Sequence, residues 1–146
     1  MYQNDGFREL DRAECLRLLA GTPVGRIVHT QRALPSVLPV NFCLDADSFV
    51  LLRTSASSEL ALRVDGAVVA FEADEIDAQW RSGWSVVVTG HARLVTDPAE
   101  CTRLERTGPE SWVAAPQQVF VRIEPELVTG RELVGGRTMY GRNLSA

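Results

Sequence analysis

The sequence predicts one mainly β domain with short helices, closed as a six-stranded antiparallel barrel. Three observations predict it. Six segments are apolar or alternating over strand-like lengths. They are joined by hairpin-length links, and there is no regular strand–helix alternation of the kind that builds a doubly wound parallel sheet. Closing such a set of strands removes the edges that an open sheet would expose. A chain of 146 residues suits one domain and buries roughly 70% of its unfolded surface. No internal repeat or linker divides residues 1–146, and the Gly- and Arg-rich tail from about residue 135 reads as loose.

In order along the chain, Asp11 to Glu14 forms a capping box, an acid three residues after the N-cap. Cys15, Leu18 and Leu19 share the face of the helix that follows, and Gly21 with Pro23 ends it. Val24 to Thr30 is a strand with Gly25, Ile27 and His29 on one face. After a turn over Gln31 to Leu34, Ser36 to Leu44 is the second strand; Pro39 cannot donate to a ladder, so this strand is interrupted or lies at an edge. Asp45 to Asp47 turns the chain into a third strand at Phe49 to Leu52, and a short helix follows with Leu60 and Leu62 beginning its apolar face. Asp65-Gly66 leads to a strand over Ala67 to Glu75. Trp84 to Val95 is the longest strand, and Gly90 marks a bend or bulge in it. Asp97-Pro98 opens a helix through Arg106, and Gln118 to Leu127 is the last strand, with Val119, Val121 and Ile123 inward.

Composition excludes several chemistries. All fifteen basic residues are arginine, so there is no Schiff-base lysine for pyridoxal phosphate and no Walker-type phosphate loop. A net charge of −4 with scattered arginines gives no case for nucleic acid. The apolar runs are too short to span a bilayer, and MYQNDGFREL is polar, so neither a membrane segment nor a signal peptide is expected. Cys15, Cys43 and Cys101 are distant and odd in number, which points to a reducing cytoplasm rather than a disulfide framework. His29 and His91 lack ligand spacing, so no metal site is expected. Val87 stands where a serine-hydrolase elbow needs glycine, and there is no GxGxxG.

Two clusters carry possible chemistry. In FVLLRTSASSELALR, Phe49 to Arg63, a strand runs into a helix through Arg53, Thr54, Ser55, Ser57 and Ser58. Helix N-termini attract anions, and an arginine fork grips phosphate oxygens in pairs. The same residues also describe a capped helix beside a solvated arginine, and the pattern alone leaves both readings open. Glu72 and Asp74 share a strand face as a carboxylate pair; solvated residues at a sheet rim are the favoured reading over a general acid/base pair.

The ordered segments GRIVHT, LPVNFCLD, FVLLRTSASSEL, VVAFEADEID, GWSVVVTGHARLV and VRIEPELVTGRE resemble the pyridoxamine-phosphate-oxidase-like family of FMN-binding split barrels. The likeness runs from about Leu10 to Leu133 and is strongest to the nitroimidazole-resistance-like branch. It implies a homodimer with two FMN molecules in clefts between subunits. Carried over to this chain, it places the FMN phosphate at Arg53, Thr54, Ser57 and Ser58. It lays the flavin ring along Leu38, Pro39, Val40 and Asn41, and brings Trp84 and Ser85 in from the partner chain. Trp112 followed by Pro116 is a further family feature. Two departures are visible. Many relatives carry a lysine near the start of the phosphate helix, where this chain has Glu59 and Leu60. The arginine-rich substrate signature of the vitamin B6 oxidases is absent. The resemblance therefore implies an FMN-dependent oxidoreductase acting on a small molecule, with no catalytic side chain marked. Its alternatives are a deazaflavin-dependent reductase, a flavin- or haem-binding carrier or sensor, and a dimer without cofactor.

Overall fold

The computed structural model describes residues 6–134, so the tail expected to be loose from about residue 135 lies outside the described residues. Eight strands and three helices follow in the order β1 (Phe7–Leu10), α1 (Arg12–Ala20), β2 (Val24–Gln31), β3 (Leu34–Leu44), β4 (Val50–Ser55), α2 (Glu59–Arg63), β5 (Val68–Asp77), β6 (Ser82–Leu94), α3 (Pro98–Thr107), β7 (Gln118–Ile123) and β8 (Leu127–Val134). All the strand pairs are antiparallel. Strands β6-β5-β2-β3-β4-β7 form a ring that closes through a β6–β7 ladder. This is the six-stranded barrel that the sequence predicts.

Closure depends on β6 changing partner. Its first part pairs with β8 as far as Thr89↔Leu127, and its last part pairs with β7 from Ala92↔Ile123. Gly90 sits at the change, where a Cβ would lie 1.8 Å from the Glu124 carbonyl oxygen. No side chain fits there, which explains the bend that Gly90 marks in the sequence.

Two strands, β1 and β8, extend the barrel beyond the six that the sequence predicts. The last strand, expected to run from Gln118 to Leu127, stops at Ile123, and β8 starts at Leu127. Pro125 lies in the gap and has no N–H for a ladder. The other addition, β1, pairs only with β8, and α1 packs against β8, β3 and β6 with Cys15 and Leu19 buried.

Alternation fills the barrel. Ile27, Phe71, Val86, Val88, Leu52 and Val121 are buried in one cluster, and the rings of Phe42 and Phe71 meet edge to face at 4.6 Å. The Asp11–Glu14 capping box forms in full, and Asp97 caps α3 ahead of Pro98. In α2, Leu60 and Ala61 are buried whereas Leu62 is exposed. Residues two apart on a helix do not share a face, which corrects the expected pairing of Leu60 with Leu62. A second, smaller cluster of Leu51, Leu104 and Phe120 docks α3 on the outside of β4 and β7.

Candidate functional site

A cleft opens where β3 and β4 part. Their ladder covers only Phe42↔Leu52 to Leu44↔Val50. Beyond it, β4 continues against β7 through Arg53, Thr54 and Ser55. The remainder of β3 stays paired with β2 and has no strand on its other side among the described residues. The Phe42 N–H donates to the Pro23 carbonyl at 3.1 Å, which fixes the alternation of the ladder. Val40 and Leu38 therefore turn their backbone toward β2, and Asn41 and Pro39 turn theirs toward the open side. Pro39 occupies a position where its missing N–H costs nothing, as its sequence reading as an edge residue requires.

The cleft measures about 380 Å³, within the roughly 300–1,000 Å³ usual for small-molecule sites. Leu38, Pro39, Val40 and Asn41 of β3 line one side and Arg53 and Thr54 of β4 another, and Val24, Trp112 and Val113 complete the lining. Most of that surface is apolar, and Arg53 is the one charged residue lining it among the described residues. The loop carrying Trp112 is tied down because the Asn41 side-chain amide donates to the Glu110 carbonyl at 2.6 Å and Gln118 Nε2 donates to the Val113 carbonyl at 2.8 Å.

Arg53 lies with its guanidinium 4.9 Å from the centre of the Phe120 ring, its direct partner across the β4–β7 ladder. Its side chain is only 17% exposed. Nη2 donates to Glu105 Oε1 at 2.7 Å, while Nε is buried without a hydrogen-bond partner. An unmet buried donor on a cation is costly, and an anion that accepted from it would remove that cost.

The hydroxyl-rich turn is preorganised beside this arginine. Thr54 Oγ1 and Ser58 Oγ are 3.1 Å apart, as are Ser55 Oγ and Ser57 Oγ. Ser58 also caps α2, accepting from the Ala61 N–H at 3.0 Å. This helix has only five residues, so its dipole adds little, and the side-chain hydroxyls and Arg53 carry the polarity. Glu59, at the start of α2, is engaged away from Arg53. It accepts from Arg63 Nε at 3.0 Å and from Gln31 Nε2 at 3.1 Å, and the Arg63 hydrogen bond holds its carboxyl below the usual range. Leu60 is buried in the core.

The residues expected to bind a cofactor thus fall into two groups. Pro39, Val40, Asn41, Arg53 and Thr54 line one cleft, and Ser58 joins them through Thr54; Ser57 bonds to Ser55 on the same turn. Trp84 and Ser85 lie on β6, separated from β3 by β2 and β5. Trp84 packs against the main core and borders a hollow with Glu75 and Gly83, and Ser85 lines another with Glu9 and Arg131. Val24, Val113 and Glu105 escape sequence reasoning. No local pattern marks them, because each reaches the cleft or Arg53 by tertiary packing.

The carboxylate pair is also defined. Arg26 Nη1 lies 3.0 Å from Glu72 and 3.4 Å from Asp74 on the outer sheet face. Partial burial, and then hydrogen bonding and repulsion from Asp74, raise the Glu72 pKa to about 7, against the opposing pull of Arg26. Among the described residues, no group of three or more His, Cys, Asp or Glu could hold a metal ion, and no helix is long and apolar enough to cross a membrane.

Comparison with known proteins now identifies the family. Residues 11–132 match the family described as Pyridoxamine 5'-phosphate oxidase. The chain belongs to this family. An uncharacterized protein of Mycobacterium tuberculosis, Rv0080, is 45% identical over 131 residues, which cover 86% of this chain and 85% of that protein. Among solved structures, the FAD binding protein from Mycobacterium smegmatis is 35% identical with a TM-score of 0.77, covering 88% of this chain and all of that one. The FAD and heme binding protein from the same organism is 14% identical with a TM-score of 0.69, covering 87% of this chain and 74% of that one; at that identity it speaks for the fold alone.

Proposed function

We propose that this member of the pyridoxamine 5'-phosphate oxidase family binds FMN in the cleft between β3 and β4 and serves as an oxidoreductase for a small molecule. One observation carries the reading: an apolar cleft has a free strand edge on one side and, on the other, an arginine whose buried Nε has no acceptor. The free edge at Pro39 and Asn41 suits the polar rim of a flavin ring, and Arg53 with the hydroxyls of Thr54 and Ser58 suits its phosphate. When bound, the flavin supplies the hydride or electron chemistry. The chain binds it and orients it; Trp112 and Val113 line the cleft beside Arg53.

A second copy of the chain completes this reading. The outer sheet face carries a row of Val37, Val28, Ala70, Thr89 and Leu127 across five strands. Val37 and Leu127 are 61% and 58% exposed there. A mainly apolar row on this face, beside the charged Arg26, Glu72 and Asp74, suits a homodimer interface with a polar rim. Ser85 lies on the same face by register, with Asp74 and Arg131 on either side, so a partner subunit would meet it.

A larger flavin is the second reading, and a specific feature favours it. A hollow of about 680 Å³ adjoins the cleft and shares Arg53, Trp112 and Val113 with it. It offers space beyond the phosphate position for the nucleoside half of FAD, the flavin named for the Mycobacterium smegmatis relative. Parallel calorimetric titrations with FMN and FAD choose between the two. Anaerobic addition of NAD(P)H to the loaded protein then tests turnover: bleaching of the flavin band supports an oxidoreductase, and a persistent oxidised spectrum with either donor contradicts it.

A further inference from the structure

We infer that Glu105 is a built-in competitor for the anion site of Arg53, an exchangeable counter-ion that a phosphate-bearing ligand must displace. The inference rests on the reading of the cleft as a phosphate-binding site and deepens it. Three features place Glu105 in this role. Its Oε1 takes the Nη2 hydrogen bond at 2.7 Å, so one arm of the arginine fork is already engaged. Its side chain is 55% exposed, whereas that of Arg53 is 17% exposed. The carboxylate can therefore swing into water at little cost, and the arginine cannot follow. Third, the contact follows from helix docking: Leu104 of α3 is buried against Leu51 and Phe120, which holds the next residue beside Arg53.

The consequence is selectivity. A doubly charged phosphate accepts from the Nη2 that Glu105 releases and, once the released guanidinium turns its buried Nε outward, from Nε as well, so it gains more than it displaces. A singly charged carboxylate ligand can take the same donors but brings only the charge that Glu105 already brings, so it gains less over Glu105 than a phosphate does. Ligands without an anionic group leave the Arg53–Glu105 pair intact. Glu105 thus raises the threshold for occupancy and reserves Arg53 for phosphate. Neither Glu100 nor Glu110, the nearest acids in sequence, shares the position: Glu100 engages Arg103 and Arg122, and Glu110 meets the site only through its backbone carbonyl.

Calorimetry on wild type, Glu105→Gln and Glu110→Gln tests this, with FMN, riboflavin and inorganic pyrophosphate as probes. Glu105→Gln should bind both FMN and pyrophosphate about threefold more tightly, the size of an exposed ion pair. Riboflavin should bind it as it binds wild type, and Glu110→Gln should match wild type throughout. The NMR signal of Arg53 Nε–Hε should shift on adding pyrophosphate, and at lower concentration in Glu105→Gln. Unchanged or weaker phosphate binding in Glu105→Gln would overturn the inference, because Glu105 would then orient Arg53 rather than compete for it. An equal gain in Glu110→Gln would also overturn it, by reducing the effect to net charge. Tighter pyrophosphate binding in Glu105→Gln, with no flavin bound by any form, would uphold the counter-ion and remove the flavin reading.

Discussion

Replacing Arg53 by alanine separates a phosphate site from a structural ion pair. In the folded chain one guanidinium nitrogen is engaged by Glu105 and Nε has no partner. A phosphate at this position accepts at least one new bond, from Nε, and takes over a second from Nη2. Charge-assisted bonds contribute about 1.5–3 kcal/mol each, and the displaced Glu105 pair returns no more than about 1 kcal/mol because it is exposed. The net loss on Arg53→Ala is therefore at least about 1.5 kcal/mol, a tenfold or greater weakening of FMN. Riboflavin, which has no phosphate, should bind wild type and variant alike within about twofold. That comparison also controls for damage to the fold, which would weaken both ligands. Arg63→Ala is the positional control: its Nε is spent on Glu59 at 3.0 Å, so FMN affinity should hold. Equal FMN affinity in wild type and Arg53→Ala would refute the reasoning and move the phosphate elsewhere.

Three further outcomes follow from the fold and its outer face. Gly90→Ala forces a Cβ to within 1.8 Å of backbone at Glu124 and should cost about 3 kcal/mol, a fall of roughly 6–12 °C in the melting temperature. Gly21→Ala, whose Cβ meets nothing closer than 3.8 Å, should melt within about 3 °C of wild type; similar falls in both would contradict the closure account. The raised pKa of Glu72 means that the folded state holds this proton more tightly than the unfolded chain does. Its contribution is therefore largest below the ordinary carboxyl value of 4.5 and is lost as the pH rises toward about 7. Glu72→Gln should flatten the fall in stability across that window in urea titrations, and an unchanged slope would assign the pH dependence to other groups. Light scattering at micromolar concentration should give twice the chain mass of 16.1 kDa; a monomer would leave the apolar row of Val37, Val28 and Leu127 without its proposed cover.

Much of this was legible in the sequence because the barrel is written in alternation and local caps. Ile27 with His29, Val69 with Phe71 and Ala73, and Val86 with Val88 each turn inward at a spacing of two. Pro39 and Gly90 kept the meaning that their chemistry gives them, an open edge and a point where no side chain fits. Strands β1 and β8 were less visible for a physical reason. The segment FREL is short and polar and becomes a strand only because β8 pairs with it, more than a hundred residues away. The segment Leu127 to Val134 includes Gly130, where a Cβ would lie 2.5 Å from Cys15 Sγ of α1, so its pattern records helix packing rather than strand propensity.

The candidate site divides in the same way. Arg53, Thr54 and Ser58 are neighbours along the chain, and their clustering could be read directly. That β3 leaves β4 after three ladder pairs, and that Trp112 and Val113 reach the cleft, depends on tertiary docking. The Arg53–Glu105 contact joins residues 52 apart and exists because Leu104 anchors α3. No local pattern encodes such a meeting.

The central claim, that the split between β3 and β4 holds the flavin, is tested most directly by backbone hydrogen exchange with and without FMN. The Asn41 amide faces the open side of β3 and should exchange readily in the free protein. FMN should slow exchange at Asn41 and in the segment from Arg53 to Ser58, while riboflavin should protect Asn41 and leave Arg53 to Ser58 unchanged. Protection confined to other strands, or no protection at saturating FMN, would contradict the account.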